Sequence, residues 1–145
     1  MAAAKQISRL PATWLLTALL AAPLLIAPPV IRGLAAFAWV THYASMGSLP
    51  RPRKAAVKAL VEKTDIAIQN LAPLPQASTA AIRALEIGQR LQHQDGDREA
   101  ARIVYQGVRT SCASVRSRLF SGAGFAVIEA RAFALAESAR ARAPK

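Results

Sequence analysis

The sequence predicts an all-α protein in which a single N-terminal transmembrane helix precedes a small bundle of helical hairpins. The first observation is a run of 22 residues without a formal charge, at positions 10–31. A helix of that length rises about 33 Å, and the hydrocarbon core of a bilayer is about 30 Å thick. The second is the spacing of apolar residues after position 54, at intervals of three, four and seven, which is typical of amphipathic helices. No stretch shows the alternation of a strand.

The uncharged run at 10–31 is interpreted first as an uncleaved signal-anchor. Lys5 and Arg9 precede it, as basic residues do in secretory signals and in signal-anchors, but the run exceeds the signal core of about 7–15 apolar residues. Cleavage near Ala38, which ends a small-x-small pattern, is the main alternative. A third form is a re-entrant hairpin that bends at the Pro28-Pro29 pair, since proline disrupts a helix.

Aromatic and basic residues around this run are assigned to the membrane interface. Trp14 and Trp39 are 25 residues apart, which is about 37 Å along a helix, so their indoles are expected near opposite interfaces. Arg32 is expected to extend its guanidinium group to the nearer interface, and Tyr43 lies just beyond the run. Residues 1–46 are therefore predicted to form the membrane anchor and its interface.

The chain is strongly basic, with a net charge of +11 at pH 7. From residue 47 onward it has 16 basic and 8 acidic residues, so anionic headgroups, acidic proteins and nucleic acid are the partners that electrostatics favours. Residues 47–54 form a basic, proline-rich linker whose charges favour a cytoplasmic location for the domain at 55–145, whereas Lys5 and Arg9 favour its export. The Ala- and Arg-rich composition indicates a bacterial source, so we expect a single-pass inner-membrane protein with a cytoplasmic domain favoured.

Four helices are predicted after the linker. The first covers 55–71, and a proline-containing turn separates it from a second helix that has Ser78 as its N-cap. Asp97 is predicted to cap the third helix, at about 97–120, because its carboxylate can accept from the free N–H groups there. A Ser-Gly-Ala-Gly break precedes the final helix. The apolar residues of that helix are Phe125, Ile128, Ala132, Leu135 and Ala139.

Residues 81–108 have the pattern of a helical hairpin. Small and large residues lie at Ile87, Gly88 and Leu91, at the Gly96-Asp97 turn, and at Ala101, Tyr105 and Val108. In these positions the stretch resembles one tetratricopeptide repeat, which implies an antiparallel pair of helices. The register needs one additional residue in the turn, and no second copy follows at a fixed period, whereas repeat proteins need about three units. The stretch is therefore interpreted as a generic helical hairpin.

Residues that could carry catalysis are few and scattered. His42 and His93 are the only histidines and are 51 residues apart, so their spacing builds neither a metal site nor a nucleophile with its base. His93 is expected at a helix C-terminus, where the dipole favours it. Cys112, the only cysteine, lies on the apolar face of its helix, which predicts a buried side chain rather than a reactive thiol. We expect no enzyme, cofactor, metal or small-molecule substrate.

One surface feature is more regular than the Arg-rich composition alone would produce. It is a stripe of arginines. Arg102, Arg109 and Arg116 recur every seven residues and Arg98 precedes Arg102 by one turn, so their guanidinium groups are predicted along one side of the third helix. One interpretation is a solvated polar face, and the other is an electrostatic contact face for anionic lipid or an acidic protein. Nucleic acid is less favoured, because no aromatic residues alternate with the arginines.

Together these patterns predict a binding protein rather than a catalyst. The favoured function is a non-enzymatic, membrane-anchored accessory or scaffold subunit of a bacterial membrane protein complex, with the membrane and a protein of that complex as partners. The alternative is a peripheral adaptor whose basic helical face binds anionic lipid or nucleic acid.

Overall fold

The computed structural model describes residues 28–118 and 123–141. Over these residues the prediction of an all-α fold is confirmed, since they form five helices and no strand. The helices are α1 (Pro28–Met46), α2 (Arg53–Leu71), α3 (Pro75–His93), α4 (Arg98–Arg118) and α5 (Ala123–Ala141).

The chain divides into two units, Met1–Ile31 and Arg32–Lys145, and the packing described here is that of the second. Apart from residues 28–31, the predicted membrane span lies outside the described residues, as does Trp14. None of the described helices has the length and apolar character needed to cross a membrane.

The part of α1 that follows Ile31 packs on the helical bundle. Gly33 lies so close to α2 that a Cβ atom there would be 2.8 Å from Cγ of Leu71. Ala36 and Val40, which follow at intervals of three and four, are buried as well. Sequence analysis assigned these residues to the anchor and interface. The structure places them against protein, and a run of small apolar residues suits either environment.

The turn between α2 and α3 corrects one predicted boundary. Ser78 was predicted as the N-cap of α3, but α3 begins at Pro75, with Leu74 in the capping position and no side-chain cap. Proline is favoured in the first turn because its fixed φ suits a helix and its missing N–H would be unpaired there in any case. Ser78 therefore lies inside the helix, and the Leu74 N–H donates to the Leu71 carbonyl at 2.7 Å to close the turn.

The turn between α3 and α4 is as predicted. Asp97 Oδ1 accepts a 3.1 Å hydrogen bond from the Ala100 N–H, which confirms Asp97 as the cap of α4. Gly96 has a φ of 66°, a left-handed conformation that glycine adopts without strain. His93 is the last residue of α3, at the predicted C-terminal position. The α3/α4 hairpin is thereby fixed by local sequence.

Helix α4 packs against α2, α3 and α5 and makes the most extensive helix–helix contacts among the described residues. Its buried face carries Val104, Tyr105, Val108, Cys112 and Val115, and it includes Cys112 as predicted. The Tyr105 ring lies over Gly88 of α3, where a Cβ atom would be 2.5 Å from Cε1, and its hydroxyl donates to Gln92 Oε1 at 2.9 Å. Burial raises the pKa of Tyr105 to about 12. This contact holds α3 and α4 together.

Candidate interaction surfaces

Most of the predicted arginine stripe is engaged within the molecule. Arg102 donates to both carboxylate oxygens of Glu99 at 2.9 Å. The Arg116 Nε donates to Glu129 Oε2 at 2.7 Å. These hydrogen bonds and the adjacent negative charges raise the pKa of both guanidinium groups. The charges of Arg102 and Arg116 are therefore partly neutralised.

Two arginines of the stripe contact α5, although both side chains are exposed. The Arg109 guanidinium lies 4.6 Å from the centroid of the Phe133 ring, in cation–π geometry. Arg116 reaches Glu129, also on α5. Arg98 makes no ion pair with any acidic residue, and all eight acids of the chain fall within the described ranges. Arg109 and Arg116 thus form part of the contact between α4 and α5, whereas among the described residues Arg98 and Arg102 make no ion pair with α5.

The predicted interface residues of α1 differ in how far they are exposed. Arg32 is exposed, and Trp39 and Tyr43 are half-buried. The rings of Trp39 and Tyr43 are 4.6 Å apart at 53°, and Tyr43 also meets His42 edge-on at 4.8 Å. The Arg90 guanidinium of α3 donates to the Ala44 carbonyl, which ties this end of α1 to the bundle.

The residues that could carry covalent or metal chemistry lie apart. His42 is on α1 and His93 ends α3, and both are exposed. Cys112 is fully buried, as predicted, and burial together with the nearby charge of Glu129 raises its pKa to about 12. A thiol with that pKa is almost entirely protonated at neutral pH, so it is a poor nucleophile and metal ligand. No group of three or more potential metal ligands occurs within the described residues.

A groove lies between α2 and α4 and has a volume of about 760 Å³. Its apolar floor consists of Val57, Val61, Ala100 and Ile103. The two helices run side by side in the same direction, because Arg53 near the start of α2 pairs with Asp97 at the start of α4 at 3.6 Å.

Small and polar residues fix the spacing of α2 and α4 beyond the groove. At Gly107 a Cβ atom would lie 2.8 Å from Cγ1 of Val61, so the close approach of the two helices requires glycine at this position. One turn further on, the Ser111 hydroxyl donates to Asp65 Oδ1 at 2.8 Å. A shallower depression continues along Val61, Asp65 and Gly107. The groove therefore opens on the N-terminal side of a tight, hydrogen-bonded helix contact.

The rim of the groove carries charges of both signs in a definite order. Lys54 and Lys58 are exposed on the first turns of α2, and Glu62 follows one turn later. None of these three makes an ion pair within 4 Å among the described residues, whereas Arg53 pairs with Asp95 at 3.1 Å and Glu99 pairs with Arg102 at 2.9 Å. Ile103, on the opposite side, is 43% exposed. An apolar floor beside unpaired charges is typical of a protein-binding surface.

Sequence reasoning missed this groove, although one signal was present. Ile103 falls outside the buried face formed by Val104 and Val108, so it is a large apolar residue on the polar side of an amphipathic helix. Ile103 lines a groove only because α2 lies beside α4 in parallel. Helical periodicity does not predict that tertiary arrangement.

A scan against protein-family models finds no match for this chain, and neither the curated proteins nor the solved structures contain a match.

Proposed function

We propose that this chain is a non-enzymatic, membrane-anchored accessory or scaffold subunit of a bacterial membrane protein complex, and that its α2/α4 groove binds a helix of another protein molecule. The observation that carries the proposal is the groove itself, in which exposed Ile103 faces the unpaired charges of Lys54, Lys58 and Glu62. A partner helix there would cover apolar surface and pair these charges, which is how amphipathic helices dock into grooves.

The anchor is proposed at residues 10–31, in the inner membrane as a single pass, with the helical domain on the cytoplasmic side. The uncharged length of that run supports it. The packing of Gly33 and Ala36 also supports an uncleaved chain, because cleavage near Ala38 would remove both residues from their contacts in the bundle.

A binding role is also supported by the state of the residues that catalysis would require. The Cys112 thiol is buried and protonated, and the Tyr105 hydroxyl is committed to Gln92 in the core. Both histidines lie on the surface, on different helices. Catalysis by a nucleophile would need a base and an orienting group within hydrogen-bond reach of it.

The alternative function, a peripheral adaptor with a basic face for anionic lipid or nucleic acid, has less support. Three of the four stripe arginines already contact Glu99, Phe133 or Glu129. Binding an anionic surface through the stripe would require these contacts to be exchanged, which reduces the net gain.

Purification of the full chain in mild detergent at about 0.5 M salt tests the proposal, since charge contacts are screened there and apolar contacts persist. The parent is compared with Ile103→Gln in the groove and with Ser114→Gln, a matched control on an exposed position of α4 outside the groove. We expect a protein bound to the parent and to Ser114→Gln but not to Ile103→Gln. Equal binding by all three would contradict the assignment of the groove.

A further inference from the structure

The geometry points to a second copy of this chain as the occupant of the α2/α4 groove, in a two-fold symmetric dimer in which the two α2 helices run antiparallel. This inference rests on the proposed function of the groove and names its partner. The contact would bring α2 and α4 of one copy against α2 and α4 of the other, as a four-helix interface.

The order of charges along α2 selects this arrangement. Lys54 and Lys58 lie toward the N-terminus of the groove rim, and Glu62 lies one turn after Lys58. A two-fold axis level with Leu60 places Lys58 of each copy opposite Glu62 of the other, because residues equally distant from the axis exchange places. Lys54 then lies near Asp65 of the other copy, one further turn out. The charges on this surface are therefore complementary to those of a second copy rotated by 180° about this axis.

A parallel arrangement lacks this complementarity. It would place lysine opposite lysine and glutamate opposite glutamate, and like charges in close contact are strongly unfavourable. The unpaired state of Lys58 and Glu62 within one copy is consistent with partners supplied from outside, since Arg53, Glu99 and Arg102 on the same surface are all paired internally.

The apolar floor is centred on the same level of α2. Val57 and Val61 lie on either side of Leu60, and Ile103 lies across the groove from them with 43% of its surface exposed. The rim from Arg53 to Glu62 extends about 14 Å along the helix, or about two and a half turns. The antiparallel contact thus joins the apolar floors of the two grooves and pairs the charged residues on their rims, as in interfaces that combine apolar and charged contacts.

Charge reversal tests the inference, with the full chain in mild detergent and oligomeric state measured by sedimentation. Lys58→Glu puts four acidic groups in the contact and Glu62→Lys puts four basic ones. We expect the parent to be a dimer and each single variant to dissociate at least about tenfold more readily. The double variant K58E/E62K restores opposite charges across the axis, so it should dimerise like the parent. A mixture of the two single variants should form mixed dimers.

Circular dichroism of each variant serves as the folding control, since Lys58 and Glu62 are exposed. A monomeric parent, single variants that dimerise as well as the parent, or a double variant that does not recover would each overturn the inference. The proposed function is tested separately: if the parent is monomeric but still loses a bound protein on Ile103→Gln, the groove binds a different protein, and only the second copy is excluded.

Discussion

The ring of Tyr105 on α4 occupies the space that a side chain at Gly88 on α3 would need. A Cβ atom at Gly88 would lie 2.5 Å from Cε1 and 3.0 Å from Cδ1 of the ring. Tyr105 is fully buried and its hydroxyl is bonded to Gln92, so the ring has little freedom to move aside. The pair therefore sets the distance between the two helices of the central hairpin.

Gly88→Ala is expected to destabilise the protein by about 1–3 kcal/mol, because the added methyl group overpacks a rigid part of the core. Gly124→Ala on α5 is the matched control, since a Cβ atom there would meet nothing within 4 Å. That change should be neutral or stabilise by up to about 1 kcal/mol, through the better helix propensity of alanine. Urea unfolding of both full-length variants measures the difference. Equal stability of the two would show that the hairpin adjusts to the methyl group without cost.

Raising the pH above 9 is expected to destabilise the fold through Cys112. Burial raises the pKa of this thiol from 9.0 to about 12, so the unfolded chain releases its proton at a lower pH than the folded chain does. Its contribution to stability is complete below pH 9 and is lost as the pH rises toward 12. The loss between pH 9 and 10 should be about 1 kcal/mol.

Cys112→Ala tests this effect, since Tyr105, whose pKa is raised from 10.0 to about 12, loses less of its contribution than Cys112 does between pH 9 and 10. The variant should be less stable at pH 8 because it leaves a cavity, but its stability should change less between pH 9 and 10. Urea midpoints at these pH values give the comparison. An unchanged slope in the variant would assign the pH dependence to another group.

The Arg116–Glu129 pair is expected to hold α5 against α4. Replacing Arg116 with Gln should increase amide hydrogen exchange along α5, because it removes the 2.7 Å ion pair that joins α4 to α5 among the described residues. The effect should diminish at about 1 M salt, where exposed charges are screened. Arg83→Gln is the control, since Arg83 pairs with Glu86 on its own helix. If both variants leave exchange in α5 unchanged, apolar packing alone holds that helix.

The proposed anchor is expected to keep the whole chain in the membrane pellet through high-salt and alkaline washing. An uncharged span of 22 residues at positions 10–31 supports insertion by hydrophobic transfer, which these treatments do not reverse. Mass spectrometry of the pellet should find residues upstream of Ala38. A soluble form that begins near Trp39 would indicate cleavage and would exclude the anchor.

Local sequence predicted the helices well where capping and periodicity act within one segment. Helix α4 and the turn before it form as predicted, with Asp97 as the cap, Gly96 in the turn and the apolar residues on the buried face. The predicted start of α3 was wrong because Pro75 and Ser78, three residues apart, are both helix-start signals. The helix begins at the proline.

Features that depend on the register between helices could not be predicted. The pairing of Arg116 with Glu129 requires knowing which face of α5 meets α4, and the groove requires knowing that α2 and α4 run in parallel. The docking of Gly33 on Leu71 was missed for a different reason, since small apolar residues suit a lipid or a protein neighbour equally well.

Site-specific photo-cross-linking in intact membranes shows which surface of α4 contacts another protein. A photoreactive side chain at position 103 lies in the α2/α4 groove, and one at position 114 lies on an exposed part of the same helix outside it. We expect irradiation to join a protein to position 103 and not to position 114, with the adduct persisting at about 0.5 M salt. Absence of any protein adduct at position 103, or equal labelling at both positions, would contradict the assignment of the groove as the binding surface.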